Sequence, residues 1–141
     1  MWVIVHVSVG LAIAETMPGP FWLVLLAVIA SHLLLDLVPH WDYTLRLHVI
    51  SWAIVDAGMS IAALAAAYAL GASPWVLAMG MLSGFPDLDV VASAACGRGG
   101  KGWFPSHWRR FPHGRCGPWV GIPLQLAIVG GCLAIVAFSL S

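Results

Sequence analysis

The sequence predicts an all-α membrane protein, a single polytopic helix bundle over residues 1–141 with four to five spans. Hydrophobic residues make up 61% of the chain and charged residues 9%, where a soluble globular domain carries about 25% charged residues. The apolar residues fall into five runs bounded by Pro, Gly and polar clusters, as membrane helices do. The formal net charge is zero, which argues against the basic footprint of a nucleic-acid-binding domain.

The first run, Trp2 to Ala14, is followed by the turn Glu15-Thr-Met-Pro-Gly-Pro20. It is short for a full crossing, so a tilted or partly inserted segment is expected. Its Ala12-Ile13-Ala14 ending resembles a signal-peptide cleavage site, but no basic residue precedes it, which favours a retained segment. The second run, Phe21 to Val38, stops at Pro39, because proline disfavours helix in the residue before it. The third, Val49 to Leu70, ends at the breaker Gly71-Ala-Ser-Pro74. The fourth is expected as one segment from Trp75 to Ala95, with Pro86 near its end. The fifth runs from Trp119 to the C-terminus, and the long polar loop Cys96 to Pro118 precedes it. Cys96, Cys116 and Cys132 lack metal-type spacing, and free thiols are expected in preference to a Cys96–Cys116 bridge.

Arg46 lies between the second and third runs, and Arg98, Lys101, Arg109, Arg110 and Arg115 lie between the fourth and fifth. With five spans these loops share one side, which the positive-inside rule makes cytoplasmic. A multi-pass protein of the inner membrane is expected. Span counting then brings every Asp and every His towards that cytoplasmic interface, with Glu15 at the other end.

The densest motif is His32-Leu-Leu-Leu-Asp36-Leu-Val-Pro-His40-Trp-Asp42. A four-residue spacing stacks His32, Asp36 and His40 on one helix stripe. Ionisable groups inside an apolar segment are costly and mark function by default. Imidazole and carboxylate together suit a zinc-like ion, although a buried His–Asp pair that joins helices has the same spacing. Phe85-Pro86-Asp87-Leu88-Asp89 is the second motif: Pro86 bends the helix and can aim Asp87 inward. Carboxylates are unfavourable at a helix C-terminus, so a mere helix end is a strained reading. The third motif, His107-Trp108-Arg109-Arg110-Phe111-Pro112-His113, offers His107 or His113 as ligand. It also offers Arg109 and Arg110 for a substrate phosphate, or simply as a positively charged anchor loop. His6, one turn before Gly10, is a further candidate ligand. Asp42, Asp56 and Asp89 are candidate acids or bases beside the metal. Gly80-x-x-x-Gly84 reads as helix packing.

Taken together, His6-x-x-x-Gly10, His32-x-x-x-Asp36, Pro86-Asp87-Leu88-Asp89 and the His107 to His113 loop resemble the membrane-bound metal-dependent hydrolases, small integral membrane proteins similar to zinc-dependent phospholipase C and P1-type nuclease. The resemblance implies a helical metal site for phosphoester hydrolysis. In it His32 and Asp36 form the His-x-x-x-Asp pair, Asp87 is the acid of the Pro-Asp motif and His6 is the N-terminal histidine. Two features depart from the family pattern. The loop lacks the Thr-His ending of the His-Arg-x-x-Thr-His motif, and the His-x-x-x-Asp pair precedes the Pro-Asp motif.

The functional expectation is a divalent-metal hydrolase with one to three ions, zinc first. It would act at the bilayer on a phosphoester such as a lipid headgroup. His32, Asp36, Asp87 and one loop histidine are expected around the first ion, and His6 and His40 around a second. A membrane metal-ion transporter is one alternative, though Glu15 is the sole acid on the far side. A non-catalytic scaffold with a structural metal is another.

Overall fold

A computed structural model describes residues 1–43, 49–96, 102–108 and 110–141. The described residues are all-helical: α1 (Val3–Thr16), α2 (Phe21–Leu37), α3 (Val49–Ala69), α4 (Pro74–Gly84), α5 (Leu88–Ala95) and α6 (Pro118–Leu140). Single 3-10 turns cover Phe85–Asp87 and Pro105–His107.

The expected fourth segment is two helices rather than one. Helix α4 ends at Gly84, and the chain tightens through Phe85–Asp87 before α5 begins. Pro86 has no N–H to donate to the preceding turn and its ring crowds that turn. Eleven residues of α4 rise about 16 Å, about half of a bilayer core. Among the described residues two helices are long and apolar enough to cross a membrane, Ile50–Ala69 within α3 and Pro118–Leu140, while Val3–Thr16 and Phe21–Leu37 are shorter.

Helix α1 is the central element and packs on α2, α3, α4 and α6. Its closest partner is α4, through a seam of small residues. A Cβ added at Gly10 would lie 2.6 Å from the Ser83 Cβ, and one at Gly80 would lie 2.8 Å from Leu11. Gly80 and Gly84 therefore serve the packing role that their spacing predicts. The seam sets His6 of α1 beside the end of α4, where the chain turns into Asp87.

The entrance to α1 is held by two buried side chains from later helices. Asp56 of α3 accepts from the N–H groups of Val3 (2.8 Å) and Ile4 (2.9 Å) and from the Tyr43 hydroxyl (2.9 Å). Helix N-termini leave such N–H groups unsatisfied, and here a carboxylate on another helix does the capping. Gln125 of α6 accepts from Trp2 N–H (3.0 Å) and donates to the carbonyls of Trp41 and Gly121 (both 3.2 Å). Trp2, Trp41 and Trp52 pack around this point, with ring centroids 5.1–6.1 Å apart. The three cysteines are free thiols, as expected from their spacing.

Candidate metal centre

Four separate stretches of chain meet at one buried point. Helix α1 contributes His6, α2 contributes His32 and Asp36, the turn after α4 contributes Asp87, and the 3-10 turn of the long loop contributes His107. Each of the three imidazoles presents Nε2 to an oxygen of both carboxylates. His6 Nε2 is 3.6 Å from Asp36 and 3.7 Å from Asp87. His32 Nε2 is 3.5 Å and 3.8 Å from the same two, and His107 Nε2 is 3.9 Å and 3.3 Å from them. Two triads are compact enough to share an ion, His6–His32–Asp36 and His32–Asp87–His107, with donor atoms within 4.8 Å of one another.

These separations are too long for good hydrogen bonds. The three shortest, 3.6, 3.5 and 3.3 Å, match the edges of a coordination polyhedron, since tetrahedral Zn–N and Zn–O bonds of about 2.0–2.2 Å place neighbouring donors about 3.3–3.6 Å apart. The other three, 3.7, 3.8 and 3.9 Å, are slightly longer. Burial points the same way. His6, His32 and Asp36 are fully inaccessible. Both nitrogens of His6, Nε2 of His32, Oδ2 of Asp36 and Oδ2 of Asp87 lack a hydrogen-bond partner. Buried polar atoms are rarely left without partners, and a divalent ion would satisfy those that face the cluster, Nε2 of His6 and His32 and one oxygen each of Asp36 and Asp87. The donor set therefore fits a zinc-like ion.

The supporting contacts fix ring orientation. His32 Nδ1 lies 2.7 Å from the Ser83 carbonyl, so it carries the proton and leaves Nε2 as the ligand atom. His107 Nδ1 lies 2.6 Å from Asp89 Oδ1, a carboxylate–histidine pairing of the kind found behind metal ligands. Asp89 Oδ2 also accepts from Phe104 N–H at 2.6 Å, which closes the loop onto α5. The His6 and His32 rings stack with centroids 3.8 Å apart, and Phe104 meets His32 edge-on at 5.0 Å. The Met1 α-amino group lies 3.2 Å from Asp36 Oδ1.

The remaining candidates lie elsewhere or play other parts. His40 and His113 face each other with ring centroids 6.1 Å apart, outside the two triads. His40 Nδ1 is held by the Val38 carbonyl at 2.8 Å, leaving Nε2 buried and without a partner. A short backbone ladder joins their two segments: Gly114 N–H donates to the Asp36 carbonyl, His40 N–H to Gly114 and Cys116 N–H to His40. Gly114 has no room for a side chain, since a Cβ would run into the Leu37 carbonyl. Asp42 forms an ion pair with Arg115 at 3.3 Å. Asp56 is engaged by its three donors at the start of α1. Asp89 stands behind His107 rather than among the ligand atoms. Arg110 is exposed, and Arg109 lies outside the described residues, as do Arg46, Arg98 and Lys101.

Three contributions were not read from the sequence. The Ser83 carbonyl and the Phe104 ring depend on tertiary packing and leave no local signal. Gly102 has one: a Cβ there would meet Asp89 and His107, so a glycine five residues before a ligand histidine makes room for the Asp89–His107 pair.

Comparison with known proteins finds no matching family model, no matching curated protein and no matching solved structure.

Two expectations follow from this geometry. Asp89→Ala should weaken divalent-ion binding about 10- to 100-fold, the cost of losing an outer partner of a metal-bound histidine. Titration against a chromophoric chelator measures this, and an unchanged affinity would remove Asp89 from the site. The second concerns pH. Burial lowers the His107 pKa, but the nearby charge of Asp87 and the charge and hydrogen bond of Asp89 outweigh it, and the net shift is upward. In the metal-free protein the protonated ring thus contributes stability fully below the unfolded value of about 6.5. That contribution is lost as pH rises through the folded pKa. A metal needs the neutral ring and is displaced as pH falls through the same value. The gap in melting temperature between ion-loaded and chelated protein should therefore widen from about pH 6 to about pH 9, and a gap that narrows would contradict this. Burial takes His40 down to about 4 and also lowers His113, so both rings are neutral over that range.

Proposed function

We propose that the chain is a membrane-embedded, divalent-metal-dependent hydrolase of phosphoesters, with zinc as the first candidate ion and a lipid headgroup as the favoured kind of substrate. The observation that carries the metal reading is the meeting of His6, His32, Asp36, Asp87 and His107, with Nε2 of His6 and His32 and one oxygen each of Asp36 and Asp87 buried and without hydrogen-bond partners. The resemblance of the four motifs to the membrane-bound metal-dependent hydrolases supports the phosphoester reading.

The membrane reading rests on α3 and α6. Core helices of a soluble protein are mostly buried, but the most apolar windows of these two are 22% and 17% buried inside the protein. Phe21, Leu26, Leu34, Ile50, Ile61 and Phe138 are exposed as well. Apolar surface on that scale belongs against lipid. In the proposed arrangement α3 and α6 cross the bilayer, and the shorter α1, α2 and α4 complete the bundle. Trp103, Trp108 and Trp119 are all exposed and suit the headgroup level of a bilayer, and Trp108 directly follows His107. Arg110 and Arg115 in the same loop support a cytoplasmic position for that face under the positive-inside rule.

A bound divalent ion supplies activation of water and polarisation of a phosphoryl oxygen. The protein's own groups hold and orient. His32 and His107 are locked in one tautomer by Ser83 and Asp89. Among the described residues of the cluster, Asp87, with its side chain 13% exposed, and His107, with 6%, are the most accessible, and a substrate oxygen would enter there. Arg110, in the same loop, is available to a phosphate. The near-complete burial of His6, His32 and Asp36 favours a second reading, a structural ion in a non-catalytic scaffold.

Hydrolysis of bis(p-nitrophenyl) phosphate by purified protein separates the two. The hydrolase reading expects turnover with zinc, none after chelation, and none in Asp87→Asn. A zinc-loaded, folded protein that hydrolyses neither this diester nor a phospholipid would leave the scaffold.

A further inference from the structure

Beside the donor cluster lies a groove of about 510 Å³, walled by Ile29 of α2, Leu82 of α4, Phe85 and Leu88 around the bend, and Trp103 and Phe104 of the loop. Its size falls within the range of small-molecule sites. Among the described residues Asp89 is its one charged lining residue, and both Asp89 oxygens already accept hydrogen bonds, from Phe104 N–H and His107 Nδ1. The groove thus offers an occupant almost nothing but hydrocarbon. It adjoins the donor cluster, because the Phe104 ring that lines it also meets His32 edge-on, and Asp89, which lines it too, holds His107. On its outer side it merges with the lipid-facing surface: Phe85, Leu88 and Trp103 are 64%, 54% and 70% exposed, and Leu26 and Ile29 continue the apolar face along α2.

We infer that this groove holds the hydrocarbon chain of a membrane lipid whose phosphate ester reaches the His–Asp cluster. The inference rests on the phosphoester reading above and adds a chain-binding subsite to it. The bilayer is the source of the occupant, since on the membrane reading above the groove opens onto the exposed apolar face of Leu26, Ile29, Phe85 and Leu88. Depth agrees as well. Exposed Trp103 and Trp108 flank His107 in one loop, tryptophan settles at headgroup level, and the groove runs from there against α2 and α4. A lipid with its phosphate at the cluster would lay its first methylenes along Phe104, Leu88 and Leu82.

Cobalt-substituted protein in lipid nanodiscs tests this, with the visible bands of the bound ion reporting the arrival of a phosphonate. Methylphosphonate and dodecylphosphonate are titrated into wild type, Leu82→Trp and Leu88→Trp, with cobalt content and helicity checked in each. Leu88 is exposed, so a tryptophan there narrows the groove without loading the core. Each buried methylene adds up to about fourfold in affinity, so wild type should prefer the dodecyl probe by at least about tenfold. Both variants should lose most of that preference while binding methylphosphonate as wild type does. Partitioning of the longer probe into the disc affects all three proteins alike, so the variant-to-wild-type ratio is the readout. Metal-loaded variants with the wild-type preference would overturn the subsite and leave the phosphoester reading standing. Cobalt bands that respond to neither probe in wild type would overturn both.

Discussion

Asp36→Asn is expected to abolish tight divalent-ion binding while the helical bundle stays folded. The Asp36 oxygens face Nε2 of His6, His32 and His107, so the carboxylate touches every imidazole of the cluster. Asparagine keeps the shape but removes the charge, and it turns an N–H₂ towards lone pairs that need a cation. The loss should exceed the roughly 10- to 100-fold expected when an outer partner is removed. Metal-free stability should fall modestly, because the buried Met1 ammonium 3.2 Å from Asp36 Oδ1 keeps an acceptor in asparagine but loses its counter-charge. Competition against a chromophoric chelator together with helical circular dichroism reads both quantities. A variant that binds zinc like wild type would mean that the cluster is an ordinary hydrogen-bonded core.

Asp56→Ala is expected to have the opposite signature: a large loss of stability with metal affinity intact in whatever fraction remains folded. Asp56 is 1% exposed and accepts from Val3 N–H, Ile4 N–H and the Tyr43 hydroxyl. Alanine leaves three donors without an acceptor, and each unsatisfied buried group costs about 1–3 kcal/mol. A total of at least about 3 kcal/mol is expected, enough to unfold a marginal protein. Thermal unfolding in detergent, with and without zinc, checks this. A variant with an unchanged melting temperature and lost turnover would instead make Asp56 an acid or base of the reaction.

The contrast between these two acids shows how far the sequence could be read. Asp36 announces itself because its partner lies four residues away on the same helix, and helical periodicity is a local property. Asp87 is legible for a similar reason: Pro86 beside it forces a bend and so redirects the carboxylate. The break between α4 and α5 is the larger consequence of that proline, and it was expected only as a feature near a helix end. Asp56 carries no such signature, since its partners are backbone N–H groups some fifty residues earlier in the chain. His6 and His40 are equally plausible ligands in sequence. The α1–α4 glycine seam brings His6 into the cluster, and the ladder through Gly114 holds His40 against His113 instead. The all-helical class follows from composition and run length. The number of crossings does not, because α1, α2 and α4 are shorter than a bilayer core and their depth depends on how they pack around one another.

Anomalous diffraction at the zinc edge from crystals grown with zinc tests the central claim most directly, because it locates the ion as well as detecting it. The account predicts a peak bounded by His32, Asp36, Asp87 and His107, with His6 alongside and ligand bonds of about 2.0–2.2 Å. A fully folded protein with no peak there, or with zinc bound only at surface histidines and cysteines, would contradict it.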